Sequence, residues 1–381
     1  MNGKSGLIHG AVFALLLSSG GVRAGEWNVG VRDRGWNVGV RAGDGDSVAL
    51  RNLVVAYFDG VATKSFVELD SVVTRDFLIY EDGKVWNNDS VFYNIQYHQP
   101  FTVKFTLTNF RVFADTRSGE VRYHSQAAFV VADTIRFTVD FLETALCRKT
   151  AAGWKISLIH VTGEKPPAVN MPGYYLKYDS VRYIPQHYRK RLEAFGAEAM
   201  HQGGIVMLGN SITEFGDWKR LFGDSGAVNR GIAGDNTFGM LERLSGVIAQ
   251  RPAKVFIEAG INDIGQGVPV DMIAGNIASM VQYLRVRSPG TRVYVVSVLP
   301  TNDRARVDYP EIAGKNKIVR ELDGQLREEA GDFGYEYIDL ASRVTDGAAN
   351  LDARYAKPDG LHLNEAGYGV LVKLLKEKGY L

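Results

Sequence analysis

Apolar and polar residues follow two different rhythms along the chain, and the change of rhythm divides it in two. Between residues 46 and 165, apolar positions recur with a period of two in several long segments, which is typical of antiparallel β-strands. Phe137, Val139 and Phe141 show this spacing. From about residue 186 onward, short continuous apolar runs alternate with segments of helical periodicity. The pattern therefore predicts two domains of different architecture.

The first domain, 46–165, is predicted to be α+β. A helix over Val48–Val61, capped by Ser47, precedes a hairpin with the turn Glu81-Asp82-Gly83. Long strands follow over Phe101–Phe113, Val121–Ala132, Thr134–Arg148 and Trp154–Val161.

The second domain, 186–381, is predicted to be α/β with a parallel sheet that helices cover on both faces. Its apolar runs predict strands over Ile205–Leu208, Ala227–Asn229, Lys254–Ala259, Arg292–Leu299 and Tyr335–Asp339. Ligands of such sheets bind beyond the carboxyl ends of the strands. Polar or glycine-rich segments stand at four of these ends: Gly209–Thr213, Asn229–Gly234, Gly260–Asp263 and Asp359–His362.

These segments contain the residue types that acyl transfer needs, namely a nucleophile, a base, a group that orients the base, and donors for an oxyanion. Ser211 is the candidate nucleophile, His362 the base and Asp359 the orienting carboxylate. The backbone amides of Ser211 and Gly231 and the side chain of Asn262 are the candidate oxyanion donors. Taken alone, Asp359 could be a helix cap and His362 a packed histidine, but the four segments together favour catalysis.

Other polar residues near these segments have structural interpretations. Asp235 and Asp263 are predicted to brace the loops. Glu214 is predicted to cap the helix after Ser211, with a position lining the pocket as the alternative. Two literal Gly-Asp-Ser triplets, at 45–47 and 223–225, compete with Ser211. Neither follows a strand and opens a helix, so the context favours Ser211.

On these motifs the second domain resembles the SGNH (GDSL-type) hydrolases over nearly its full length. The serine, glycine, asparagine, aspartate and histidine of that family match, in order, Ser211, Gly231, Asn262, Asp359 and His362. The resemblance implies a flavodoxin-like, three-layer α/β/α fold with a five-stranded parallel sheet. One position departs from the pattern, because Asn210 stands where the family has an aspartate.

The segments Gly234-Asp235-Asn236-Thr237 and Leu241-Glu242-Arg243-Leu244 resemble the branch related to platelet-activating-factor acetylhydrolases, and bacterial carbohydrate O-acetylesterases are similar. The resemblance implies a serine esterase that removes short acyl groups, above all acetyl, from a carbohydrate or another soluble ester. The reaction would pass through an acyl-enzyme on Ser211 and would need no cofactor and no metal. Two alternatives stay open: a lysophospholipase or thioesterase with the same residues, and a ligand-binding protein that acts through the first domain.

The first domain resembles the SnoaL-like domains of the nuclear-transport-factor type. The opening helix, the long strands and the closing segment Gly153-Trp154-Lys155-Ile156 carry this resemblance. It implies a cone whose pocket serves binding, homodimerisation or, in some members, isomerase or dehydratase chemistry. His98, His124, Asp140 and His160 are the polar candidates for that pocket, with ordinary core or surface positions as the simpler interpretation.

Composition limits the partners. Lys and Arg number 44 against 43 Asp and Glu, a net charge of +1, so the chain lacks the positive excess typical of proteins that bind nucleic acid. The single cysteine, Cys147, excludes an internal disulfide and a cysteine-rich zinc site, and the histidines form no HExxH motif.

Three segments outside the two predicted domains differ from them in composition: residues 1–24, 25–45 and 166–185. Residues 1–24 carry an apolar run, Leu7–Leu17, that is typical of a secretory signal and shorter than a membrane-spanning helix. No cysteine lies near the predicted cleavage point, so a lipoprotein anchor is not expected, and we predict a secreted or periplasmic protein. The alternative is that residues 1–24 are an extension of a cytosolic protein. Residues 25–45 repeat a glycine-rich unit and are predicted to be a spacer, and the proline-rich 166–185 a linker.

Overall fold

A computed structural model of the chain describes residues 44–81, 83–95, 101–131, 134–163, 185–198, 202–223, 227–303 and 309–381. These residues fall into two compact units, the first ending at Gly163 and the second beginning at Pro185. The predicted signal peptide, nearly all of the spacer and most of the linker lie outside them. No helix within the described ranges is long and apolar enough to cross a membrane.

The first unit packs three helices with a six-stranded sheet of order β2-β1-β6-β5-β4-β3. Its elements are α1 (Asp44–Ala62), α2 (Phe66–Val72), β1 (Val73–Glu81), β2 (Lys84–Asn87), α3 (Asn88–Ile95), β3 (Phe101–Ala114), β4 (Ser118–Val131), β5 (Ile135–Thr150) and β6 (Gly153–Gly163). All neighbours pair antiparallel except β1 and β6, which run parallel.

Alternating burial along the long strands puts one face of this sheet into the core, where α1 contributes Leu50, Val54 and Tyr57. The strands therefore lie where the period of two predicts them. The first helix begins earlier than predicted, at Asp44, so Ser47 lies inside it rather than at its cap. The Asp46 carboxylate accepts a hydrogen bond from Trp154 Nε1 at 2.8 Å, and this contact ties the start of α1 to β6.

The second unit has a five-stranded sheet of order β11-β10-β9-β7-β8, and every pair is parallel, as predicted. The strands are β7 (Ile205–Gly209), β8 (Val228–Gly231), β9 (Lys254–Glu258), β10 (Arg292–Val296) and β11 (Glu336–Ile338). The helices are α4 (Pro185–Ala197), α5 (Ser211–Glu214), α6 (Trp218–Phe222), α7 (Thr237–Glu242), α8 (Leu244–Ile248), α9 (Ile261–Gln266), α10 (Val270–Arg287), α11 (Asn316–Phe333), α12 (Ala341–Val344) and α13 (Glu365–Glu377).

Both faces of this sheet are covered. All five residues of β7 are buried, although their side chains point alternately to opposite faces. On one face Met207, Phe256 and Tyr294 pack with Leu371 and Leu375 of α13. Because all strands run in the same direction, the loops after β7, β8 and β9 leave the sheet at the same edge, and this edge positions the candidate site.

Candidate functional site

The structure brings together the three residues that the sequence predicts for nucleophilic catalysis. His362 Nε2 lies 2.9 Å from Ser211 Oγ, and His362 Nδ1 lies 2.8 Å from Asp359 Oδ2. Ser211 is 7% exposed and His362 3% exposed, so the contact between these two residues is shielded from bulk water. The imidazole thus bridges a hydroxyl and a carboxylate that stand far apart in the sequence.

Local geometry explains why Ser211 sits at this point. Asn210 caps α5, because its Oδ1 accepts a hydrogen bond from the Ile212 amide at 2.8 Å. Ser211 is therefore the first residue of the helix, and the first amides of a helix have no acceptor within it. At Gly209, a Cβ would lie 2.1 Å from Thr213 Oγ1, so only glycine allows the strand to pass this close to α5.

The Asp359 carboxylate is held by its own loop. Its Oδ1 accepts hydrogen bonds from the amides of Leu361 and His362, both at 2.9 Å. Burial alone would raise the pKa of Asp359, but these amide bonds and the His362 side chain outweigh it and hold the pKa below its usual value. Asp359 is therefore ionised at neutral pH and can orient the imidazole.

Aromatic rings that the sequence analysis did not single out flank His362. The ring centroid of Phe215 lies 5.0 Å from that of the imidazole, and the centroid of Tyr309 lies 5.6 Å from it. Lys357 Nζ stands 5.0 Å above the Phe215 ring. Phe215 is 46% exposed, so it offers an apolar surface beside the reactive groups. No periodic signal marks it, because it follows a helix of only four residues.

Asn262 lies in α9, and its Nδ2 donates to the Asp235 carbonyl at 2.7 Å. An amide nitrogen carries two hydrogens, so the second remains for an oxyanion. The Gly231 amide is placed differently, because it donates to Asn229 Oδ1 at 2.9 Å. It would have to give up this bond to bind an oxyanion. A Cβ at Gly231 would lie 2.1 Å from the Glu214 amide nitrogen, so the glycine is required here by packing against α5.

A buried ion pair braces the loops around the site. Arg243 donates through Nε to Asp235 Oδ2, through Nη1 to the Arg230 carbonyl and through Nη2 to the Gly209 carbonyl, at 2.8, 2.8 and 3.0 Å. Burial raises the pKa of Asp235, and the charge and hydrogen bond of Arg243 oppose this rise. Asp263 accepts from the backbone amide of Thr237 at 3.1 Å. The bracing roles predicted for the two aspartates are confirmed.

Glu214 does not cap α5 as predicted. It ends the helix, and its Oε2 accepts from the Ala233 amide at 2.5 Å and contacts His187 Nε2 of α4 at 2.9 Å. Glu214 therefore joins α4 and the loop after β8 to the helix that carries Ser211. In the part of the chain that the structure describes, no group of three or more His, Cys, Asp or Glu side chains could hold a metal ion.

The polar candidates in the first unit lie on its surface. His124 Nε2 pairs with Asp140 Oδ1 at 3.3 Å, and their side chains are 34% and 40% exposed. His160 is exposed, and His98 lies outside the described residues. The simpler interpretation, as surface positions, therefore holds for the three that are described.

Residues 207–370 match the GDSL-like Lipase/Acylhydrolase family. The isoamyl acetate-hydrolyzing esterase 1 homolog of Homo sapiens is 31% identical over 190 residues, which cover 43% of this chain and 75% of that protein. The platelet-activating factor acetylhydrolase IB subunit alpha2 of Rattus norvegicus is 26% identical over 202 residues, 51% of this chain and 82% of that one. The N-acylneuraminate cytidylyltransferase of Escherichia coli is 31% identical over 179 residues, 45% of this chain and 39% of that enzyme.

Proposed function

The chain belongs to the GDSL-like lipase/acylhydrolase family, and from this premise we propose that it is a serine esterase for short-chain esters, above all acetyl esters of carbohydrates or other soluble alcohols. The observation that carries the proposal is the position of His362, within hydrogen-bond distance of both Ser211 Oγ and Asp359 Oδ2. A serine hydroxyl is a weak nucleophile, and this contact to a base activates it.

In the proposed reaction, the proton of Ser211 Oγ passes to His362 Nε2 as Oγ attacks the ester carbonyl. The Asp359 carboxylate accepts a hydrogen bond from His362 Nδ1–H and stabilises the imidazolium. The imidazolium then donates its proton to the departing alcohol, leaving an acyl group on Ser211. In the second half of the reaction His362 takes a proton from a water molecule as the water attacks the acyl carbon. His362 then returns this proton to Ser211 Oγ, which releases the acid and restores the hydroxyl. No cofactor enters these steps.

The negative charge that develops on the carbonyl oxygen needs preorganised donors, each worth about 2.7–4 kcal/mol. We assign the Ser211 amide and the second Nδ2 hydrogen of Asn262 to this role. The Gly231 amide can join them only by releasing its present acceptor. The Gly234 amide is the better third candidate, because Gly234 has a φ of 79° and adjoins Asp235, whose carbonyl Asn262 holds.

The acyl and leaving groups are proposed from two sources. The names of two relatives, an isoamyl acetate-hydrolyzing esterase homolog and a platelet-activating factor acetylhydrolase subunit, favour acetyl. The exposed Phe215 ring and the nearby Lys357 suit an alcohol with an apolar face and polar substituents, as a sugar has. A p-nitrophenyl series of acetate, butyrate and octanoate tests the acyl group. A preference for octanoate would favour the lysophospholipase or thioesterase alternative.

Ser211→Ala tests the nucleophile. We expect p-nitrophenyl acetate turnover to fall by at least about a thousandfold, and labelling by a fluorophosphonate to disappear. Ser47→Ala and Ser225→Ala, which change the serines of the two competing Gly-Asp-Ser triplets, are the matched controls and should keep full turnover. Undiminished turnover in folded Ser211→Ala protein would contradict the proposal and leave ligand binding by the first domain as the alternative.

The organisation of the chain is part of the same proposal. We place a secretory signal at 1–24, a spacer at 25–45, a SnoaL-like domain at 46–165, a linker at 166–185 and the hydrolase domain at 186–381. The helices and the six-stranded sheet of the first unit support the SnoaL-like assignment of 46–165, and we propose that this domain can mediate homodimerisation. Mass measurement of the protein recovered from the secreted or periplasmic fraction tests the cleavage, and light scattering tests the dimer.

A further inference from the structure

The first unit contains a cavity that the esterase reaction does not use. It has a volume of about 50 Å³, is partly open to solvent, and lies between α1 and strands β1, β3, β5 and β6. Apolar side chains such as Phe58, Phe105 and Phe141 form most of its wall. The described lining also includes two carboxyl groups, those of Glu81 and Glu143, and contains no Lys, Arg or His. The cavity therefore combines apolar walls with an acidic interior.

Glu143 is the best defined of these polar groups. It is 6% exposed, and its Oε2 accepts a hydrogen bond from Tyr123 Oη at 2.9 Å while its Oε1 accepts from Ser125 Oγ. Burial raises the pKa of Glu143 to about 7, and the two hydroxyl bonds lower it in part. Within the described residues, the Glu143 carboxylate thus accepts its hydrogen bonds from two neutral hydroxyl groups. A cation in the cavity would compensate the negative charge of this carboxylate.

Tyr57 provides a second, independent observation. Its side chain lines the cavity and is 3% exposed, and its hydroxyl has no hydrogen-bond partner within the described structure. Burial raises the pKa of this hydroxyl above its usual range, and the charges of Glu143 and Glu81 raise it further. A buried hydroxyl without a partner destabilises the folded state, and a ligand in the cavity would provide the missing bond.

We propose that this cavity binds a short-chain organic ammonium ion, with the ammonium group held by Glu143 and Tyr57 and the alkyl chain against the apolar wall. The cation complements the acidic lining, and its three N–H donors can reach the Glu143 carboxylate and the Tyr57 oxygen together. One water needs about 10–15 Å³ of such volume, so the cavity takes about four non-hydrogen atoms. Propylammonium has this size.

Binding of propylammonium to the full chain, followed by calorimetry or ligand-observed NMR, tests the proposal, with 1-propanol as the uncharged isostere. We expect saturable binding of the cation and at least about tenfold weaker binding of the alcohol. Glu143→Gln should weaken cation binding by about tenfold or more. Asp140→Asn, which removes an exposed carboxylate from the same strand, should leave it unchanged. Absence of saturable binding, or equal affinity of the Glu143→Gln protein, would overturn the proposal.

Tyr57→Phe keeps the ring in the core and removes only the hydroxyl, so it serves where Glu143→Gln fails to fold. We expect it to be at least as stable as the parent chain and to bind propylammonium several-fold more weakly; unchanged affinity would overturn the role of the cavity. Ser211→Ala should bind the cation as the parent does. The Ser211→Ala variant separates the two proposals. If it no longer bound propylammonium, the cation would bind at the esterase site and not in the cavity. If it lost only esterase activity, the cavity proposal would stand.

Discussion

Asn210 stands where the family resemblance implies an aspartate, and its neighbour Glu258 gives a physical reason for the asparagine. Asn210 is fully buried, and its Nδ2 donates to Glu258 Oε1 at 3.4 Å. Burial raises the pKa of Glu258 to about 8, while the bond from Asn210 lowers it in part. An aspartate at 210 would place a second carboxyl group beside that of Glu258. Ionising both groups in a buried site would cost free energy, because the two negative charges repel each other.

Asn210→Asp should therefore lower the free energy of unfolding by about 1–3 kcal/mol at pH 8 and by less at pH 5, where the two carboxyls can share a proton. Urea unfolding at the two pH values measures the difference. The double variant Asn210→Asp/Glu258→Gln exchanges the positions of the amide and the carboxyl and should recover most of the loss. An equal loss at both pH values would contradict the electrostatic explanation.

Phe215 is exposed beside His362 and is expected to contact the substrate rather than to support the fold. Phe215→Ala should lower kcat/KM for p-nitrophenyl acetate by about two- to tenfold, the equivalent of one aromatic contact, with little change in the melting temperature. Leu142→Ala, at a position that is 67% exposed in the first unit, is the control and should change neither quantity. A large fall in melting temperature for Phe215→Ala would show a structural role instead.

At the scale of the elements, the loops of the candidate site depend on Arg243. This one side chain joins the end of β7 at Gly209, the end of β8 at Arg230 and the loop carboxylate of Asp235. The side chains of Arg243 and Asp235 are 4% and 0% exposed, so neither charge has water as a substitute partner. The loop positions are thus coupled through a single guanidinium.

Arg243→Lys should destabilise the second unit by about 3–5 kcal/mol, because a lysine cannot keep all three bonds. Chemical unfolding measures this loss, and kcat should fall with it, since the loop ends carry the proposed oxyanion donors. Arg220→Lys changes an arginine whose side chain is 59% exposed and which pairs with Glu365, and it should cost at most about 1 kcal/mol. Comparable losses in the two variants would contradict the bracing role of Arg243.

Elements with a clear rhythm could be predicted from the sequence, and contacts between distant elements could not. The parallel sheet follows from short apolar runs between helices, and the meeting of Ser211 with His362 follows because strand ends share one edge. The sequence could not show why a glycine is needed at 231. In the structure a side chain there would collide with the backbone of α5, whereas the sequence alone equally allows a close approach to substrate. Likewise, the hydrophobic pattern of the first helix could not show that the Tyr57 side chain lines a cavity, because its position in that pattern is the same as that of ordinary core residues.

For the molecule as a whole, a net charge of +1 conceals a set of buried acids in both units. Burial is the largest cause for each and raises their pKa values to about 7, 8, 6 and 7 for Glu143, Glu258, Asp263 and Asp323. In an unfolded chain such groups titrate near 4. At pH values between about 4 and these raised pKa values, the folded state therefore holds more protons than the unfolded state does.

This difference fixes the sign of the pH dependence. Since stability rises with pH only where the unfolded state binds more protons, these acids make the free energy of unfolding fall as the pH rises from about 4 to about 8. Asp359, with its lowered pKa, acts in the opposite direction but only as the pH falls below about 4. Urea unfolding across this range, followed for each unit, should show the fall.

Glu143→Gln in the first unit and Glu258→Gln in the second should each flatten the pH dependence of their own unit, because an amide does not titrate. Asp140→Asn, whose carboxyl is exposed, should leave the slope of the first unit as it was. A free energy of unfolding that rises between pH 5 and pH 8 would mean that these carboxyls are ionised in the folded state and that their burial is compensated by cations. Since a bound ammonium ion would do this to Glu143, propylammonium should reduce the slope of the first unit only.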